Sequence, residues 1–238
     1  MKTRSRLRER KTGLEIALSV LVVCLAIGIG SLFVLVIGKN PMEVFVAIFQ
    51  SSLGGPKEAA FTLTITAPLL ITSIGILIAF KAGMWNIGGE GQIYLGALAG
   101  LILIAELARL HVSSFLVLPV VCLVAFCVGG AWAALAGFLK VMFRIDEIVS
   151  TLMLNFIALY IIIYQVRVPY RDEYLARIGG TGIQSFRLPE CGVLPEFGGV
   201  NIALFVGIAI AVVVYFSTTR TMFGFRLKLV GQNIATAR

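Results

Sequence analysis

Residues 61–100 read FTLTITAPLLITSIGILIAFKAGMWNIGGEGQIYLGALAG: two apolar runs with a polar, glycine-dense interruption between them. The first run, Phe61–Phe80, is long enough to cross about 30 Å of hydrocarbon at roughly 1.5 Å per helical residue. It is continuous rather than alternating, and an unpaired backbone is too costly in lipid, so the run predicts a membrane-spanning helix. The interruption carries Gly83, Asn86, Gly88, Gly89, Glu90, Gly91 and Gln92. Glycines at that density break a helix and let another backbone or a solute come close. Two readings stay open for the break near residues 83–91. In one it is a short loop in water with Glu90 solvated. In the other it is a broken helix at membrane depth, covered by protein or wetted by a cavity, and Glu90 is then a functional residue. Beyond it, Gly96 and Gly100 form a GxxxG face suited to close helix packing.

Outward from this stretch the same pattern repeats. Apolar segments occur near Leu14–Ile37, Phe61–Phe80, Gln92–Ala108, Phe115–Phe138, Ile148–Val166 and Val200–Ser217. The chain as a whole is 59% hydrophobic and only 13% charged, with a mean hydropathy of +0.99. Soluble domains carry about a quarter charged residues, so the solvent implied here is lipid. The fold class is all-α: a polytopic transmembrane bundle of about six spans. Residues 1–13 are a basic N-terminal tail, 14–217 the membrane domain and 218–238 a polar segment after the last span. The run at Leu14–Ile37 exceeds a signal-peptide core of about 7–15 residues, which makes it an uncleaved first span.

The net charge of +8 is scattered in tracts between apolar runs, which argues against nucleic acid and for membrane-surface loops. With the N-terminus inside, thirteen Lys and Arg fall on the cytoplasmic side and seven on the other, placing both ends in the cytoplasm. Residues 38–60 include an amphipathic helix starting at Pro41. Residues 167–199 form a Gly- and Pro-rich loop whose Arg167, Arg171, Arg177 and Arg187 are matched by Asp172, Glu173, Glu190 and Glu196. That loop reads either as solvated surface or as a docking face for an extracytoplasmic partner.

A third polar feature lies in RIDEIVSTLMLNFIALY, residues 144–160. Asp146 and Glu147 suit a helix N-terminus. Thr151 and Asn155, four apart, share a helix face. Asn155 within an apolar run needs a partner, by interhelical hydrogen bonding or on a solute path. The sequence has no phosphate-binding G-x-x-x-x-G-K-[ST] loop, no HExxH and no Ser-His-Asp set. Four scattered cysteines and the single His111 offer no metal site.

Three segments, GMWNIGGEGQIYLGA, EIVSTLMLNFIALY and GFRLKLVGQNIATAR, in this order, resemble the inner-membrane permease family of ABC importers for simple sugars, branched-chain amino acids and nucleosides. Their forms are most similar to the nucleoside permeases. The resemblance implies a subunit that binds no cofactor itself, with ATP and Mg on separate ATPase subunits. It implies a second permease subunit, alike or different, and an extracytoplasmic substrate-binding lipoprotein, all at a bacterial inner membrane. Asn86, Glu90, Gln92, Thr151 and Asn155 would then border the substrate pathway. Gly83, Gly88, Gly89, Gly91, Gly96 and Gly100 would serve the helix break and packing. Gly231, Asn233, Ala235, Ala237 and Arg238 match the segment that couples to the ATPase. Family members continue with further spans, so the expectation is an incomplete permease domain. Rival readings are a permease for pentoses or branched-chain amino acids, an ATP-independent secondary transporter, for which Glu90 is the one ion-coupling candidate, and a membrane enzyme or assembly factor.

Overall fold

The computed structural model describes residues 2–172, 177, 182 and 184–232. Among them run eight α-helices: α1 (Lys2–Val36), α2 (Pro41–Leu53), α3 (Pro56–Lys81), α4 (Gly89–Arg109), α5 (Ser114–Phe143), α6 (Glu147–Arg167), α7 (Ala203–Arg220) and α8 (Met222–Gln232). Six stretches are long and apolar enough to cross a membrane: Glu15–Val36, Pro56–Lys81, Gly89–Arg109, Phe115–Phe143, Glu147–Arg167 and Ala203–Arg220. The polytopic helical reading therefore holds, with shifted edges. The third helix starts before Phe61 because Pro56 supplies a ready first turn. The last span starts after Val200 because Glu196–Phe197 and Val200–Asn201 pair as a small antiparallel hairpin instead. Its turn is Gly198–Gly199, both at positive φ (60° and 80°), the two-residue geometry that matches strand twist.

The chain divides into two compact units, Met1–Thr62 and Leu63–Arg238. In the first, α1 packs on α2. Asn40 caps α2, its side-chain oxygen accepting the Met42 N–H at 3.0 Å, and Pro41 occupies the first turn. Thr62 closes the unit by donating its hydroxyl to the Ser52 carbonyl at 2.8 Å.

In the second unit α4 packs against both α5 and α6. Small residues permit the approach: a Cβ on Gly96 would stand 3.0 Å from the Ala125 carbonyl oxygen, and one on Gly100 would stand 3.3 Å from Val121 Cγ1. The apolar core there is Ile104, Val117 and Val121, with Cys191 of a short 3₁₀ turn (Glu190–Gly192) packed beside it. Elsewhere large side chains face outward, Phe126 being 79% exposed. Such a surface belongs in hydrocarbon rather than water. The α5–α6 connection is tight. Arg144 takes a left-handed φ of 56° at the end of α5. Asp146 Oδ1 accepts the Ile148 and Val149 N–H groups at 2.8 and 3.2 Å. Lys140 reaches across to Glu147 at 2.6 Å.

Candidate functional site

The interruption between the first two quoted runs is a shaped break, and its ends are closed by different means. At the end of α3 the Gly83 N–H bonds the Phe80 carbonyl at 3.0 Å and the Met84 N–H bonds the Ala79 carbonyl at 3.0 Å. Gly83 itself takes φ 72°. This pattern of paired bonds around a left-handed glycine satisfies the helix's last carbonyls. Residues 84–88 then cross to α4, which begins at Gly89.

A helix start leaves its first N–H groups without intrahelical partners. Here the partners come from α6, more than sixty positions away in sequence. Asn155 accepts the Gly91 N–H on Oδ1 at 2.9 Å and donates Nδ2 to the Ile87 carbonyl at 2.9 Å. Thr151 Oγ1 accepts the Ile87 N–H at 3.3 Å while donating to the Glu147 carbonyl at 2.6 Å. Thr151 is 2% and Asn155 7% exposed. Asn86 completes the set locally, its Oδ1 accepting the Gly88 N–H at 2.8 Å. The break is thus clamped along one face of α6, and the clamp is neutral throughout.

The remaining expected residues are distributed around it. Gln92 is half-buried beside Gly88, to whose position its Nε2 comes within 3.4 Å of a built Cβ. Glu90 is exposed on the first turn of α4, its carboxylate accepting the Tyr94 hydroxyl at 3.4 Å. It lies apart from the Thr151–Asn155 clamp. Gly89 packs against Thr72, whose Cγ2 would be 2.9 Å from a Cβ there. Gly91 is the most enclosed: a Cβ would meet Asn155 Oδ1 at 3.0 Å, Trp132 Nε1 at 3.0 Å and Ala158 Cβ at 3.2 Å.

Trp132 was not visible as a site residue. Its indole nitrogen is buried and has no hydrogen-bond partner among the described residues. It differs from the other large apolar α5 side chains by carrying a donor, and that is the signal available in sequence. Gly91→Ala is therefore expected to push on the clamp itself and destabilise the protein by about 1–3 kcal/mol. Gly130→Ala, where no atom lies within 4 Å, is the matched control and should unfold with the wild type. Thermal unfolding in detergent checks both.

One further contact ties the break to the C-terminal segment. A Cβ on Gly83 would stand 3.0 Å from Gly231 Cα, and one on Gly231 would overlap the Lys81 carbonyl oxygen. Lys81 also donates its Nζ to Thr218 Oγ1 at 2.9 Å. Of the expected coupling residues Gly231 is therefore placed; Asn233, Ala235, Ala237 and Arg238 lie outside the described residues, as does Glu173 of the external loop.

The family model described as branched-chain amino acid transport system, permease component, matches residues 59–238. The chain belongs to this permease family. Among curated relatives, the permease is 30% identical over 234 residues to the glucose ABC transporter permease protein TsgB13 of Haloferax volcanii, covering 92% of this chain and 59% of the relative. It is 27% identical to the nucleoside ABC transporter permease protein NupB of Lactococcus lactis, covering 86% of this chain and 57% of that one. It is 26% identical to the guanosine ABC transporter permease protein NupP of Bacillus subtilis, covering 90% and 60%. The chain spans about three-fifths of the length of these relatives. No solved structure matches. The matched region holds the whole clamp and the Gly83–Gly231 approach, whereas α1 and α2 precede it.

Proposed function

We propose that this permease is the membrane-spanning subunit of an ABC importer for a neutral, hydroxyl-rich solute, a nucleoside or a simple sugar. The observation that carries the reading is the uncharged clamp of Asn86, Thr151 and Asn155 around the break between α3 and α4. Backbone of that kind is tolerated in a membrane only where protein covers it or a watery passage borders it. Glu90 and Gln92, on the first turn of α4 beside the break, would border that passage, with Thr151 and Asn155 holding it in shape. Relatives named for glucose, nucleoside and guanosine transport support the solute class.

In this reading the chain binds no nucleotide. Separate ATPase subunits hold ATP and Mg, a second permease subunit completes the path, and an extracytoplasmic binding protein delivers the solute. The Lys and Arg distribution supports a cytoplasmic N-terminus, with the chain in a bacterial inner membrane in this reading. Alternating access follows from the nucleotide site, whose differential contacts shift the equilibrium between inward and outward states.

Uptake into proteoliposomes holding the complete complex tests this. ATP-dependent accumulation of a labelled nucleoside, competed by guanosine or glucose and not by leucine, is the expected result. Accumulation that persists without ATP points to a secondary transporter and ends the proposal. Competition by leucine alone keeps the importer and removes the solute class.

A further inference from the structure

We infer that the permease holds an anionic phospholipid at the end of α4 and α6, its phosphate in an arginine-lined cavity and one acyl chain in an adjoining groove. The cavity, about 720 Å³, is bordered by the last turn of α4 and the chain leaving α6. Among the described residues, Arg109, Arg171 and Arg187 line it with His111 and the carboxylate of Asp172. Tyr170 and Phe186 complete the wall, their rings 6.4 Å apart. Arginine matches a phosphate in planar, bidentate fashion, and aromatic rings at a span's end sit at headgroup level. Among the described residues Arg109 is paired with the neighbouring Glu106 at 3.0 Å, with side chains 75% and 55% exposed. An exposed pair of that kind is worth little, so the guanidinium can turn toward a phosphate.

The cavity is built rather than incidental. Residues 170–172 pair with 184–186: the Phe186 N–H bonds the Tyr170 carbonyl at 3.2 Å and the Asp172 N–H bonds the Gln184 carbonyl at 3.1 Å. Farther on, the 3₁₀ turn is seated on α4, where a Cβ on Gly192 would stand 2.6 Å from Ile104 Cγ2. The segment 185–188 divides two environments. Phe186 and Arg187 face the cavity, whereas Ser185 and Leu188 roof an apolar groove of about 400 Å³.

That groove runs between α4, α5 and α6 along Gly96, Gly100, Ile104, Val121, Ala125 and Ile162. From Gly96 to Ile104 it extends about 12 Å down α4, close to the depth of one leaflet's hydrocarbon. A positive mouth above an apolar slot of leaflet depth fits an amphiphile with a phosphate head. An acidic protein surface would use the mouth and leave the slot empty. Free phosphate would do the same.

The test is retention of lipid by the full chain in nanodiscs of phosphatidylcholine containing a minor share of phosphatidylglycerol, read by native mass spectrometry. Phosphatidylglycerol should be retained selectively. The Arg109→Gln/Arg187→Gln pair should weaken retention about thirtyfold, roughly fivefold for each charge removed. Ala97→Phe, which fills the groove from an exposed position, should weaken it with the arginines intact. Thermal midpoints verify that the variants fold. Retention unchanged in the arginine pair overturns the inference. So does inorganic phosphate displacing the lipid fully at millimolar levels, which would make the groove idle. Loss of binding-protein docking in the arginine pair with lipid retention intact also overturns it. The measurement needs no transport, so it stands apart from the uptake assay.

Discussion

Replacing Asn155 by leucine should cost more stability than Thr151→Val or Gly91→Ala. The Ile87 carbonyl and the Gly91 N–H both depend on this one amide, at 2.9 Å each. Leucine would fill the volume and leave the buried Gly91 N–H and the partly buried Ile87 carbonyl without these partners. Each such group costs about 1–3 kcal/mol, so the loss is roughly 2–6 kcal/mol. Native proteins have about 5–15 kcal/mol to lose. The expected outcome is a thermal midpoint lowered by many degrees, or material that does not leave the membrane monodisperse. Thr151→Val should be milder, because it strands only the Ile87 N–H, whose bond at 3.3 Å is the longest of the set. The comparison separates two roles for Asn155. A residue that only touches solute would leave stability at the wild-type value and change uptake alone. Wild-type unfolding of Asn155→Leu would remove the clamp as an explanation of how the break survives.

How much of this was legible follows from the range of the interactions. Membrane spans are announced by continuous apolar runs, because each residue's preference for lipid is independent of its neighbours' identity. All six were visible, and so was the interruption between the second and third, where Asn86 and Glu90 stand among glycines. Thr151 and Asn155 were legible as one face of α6 from their spacing. Their partner was not, because the pairing joins positions more than sixty residues apart and nothing in either segment names the other. The hairpin at Gly198–Gly199 was lost inside a loop: two-residue strands carry no periodicity to detect. Trp132 was hidden by its own bulk, which reads as apolar until its N–H is seen facing Gly91. The arginines of the 167–199 loop suggested a surface, and the convergence of Arg109 with Arg171 and Arg187 on one cavity appears only once α4 and α6 end side by side.

Gly231→Val should separate nucleotide hydrolysis from transport, if the importer reading holds. Gly231 lies at the end of α8, in the segment proposed to meet the ATPase, and its backbone rests directly on the turn that ends α3. A side chain there would overlap the Lys81 carbonyl oxygen, and its Cβ would stand 3.1 Å from the Gly83 nitrogen and 3.2 Å from the Ala82 carbonyl carbon. All three are backbone atoms, which have no rotamer by which to yield, so α8 must move off the turn. The same turn opens the break that Asn155 clamps. In the importer reading a displacement of α8 by an ATPase would reach residues 84–88 through contact of main chain on main chain, reinforced by the Lys81–Thr218 bond at 2.9 Å. Coupling free energies between sites are about 1–3 kcal/mol, or roughly 5–150-fold in the linked equilibrium. In the reconstituted complex, solute accumulated per ATP hydrolysed should fall within that range for Gly231→Val, with the ATPase still assembled and turning over. Lys81→Met should give a smaller decrease, since it removes the hydrogen bond and leaves the glycine contact. Hydrolysis and uptake falling in equal proportion would mean that the variant merely loses its partner. Both remaining at wild-type levels would mean that the path from nucleotide to solute runs through some other contact.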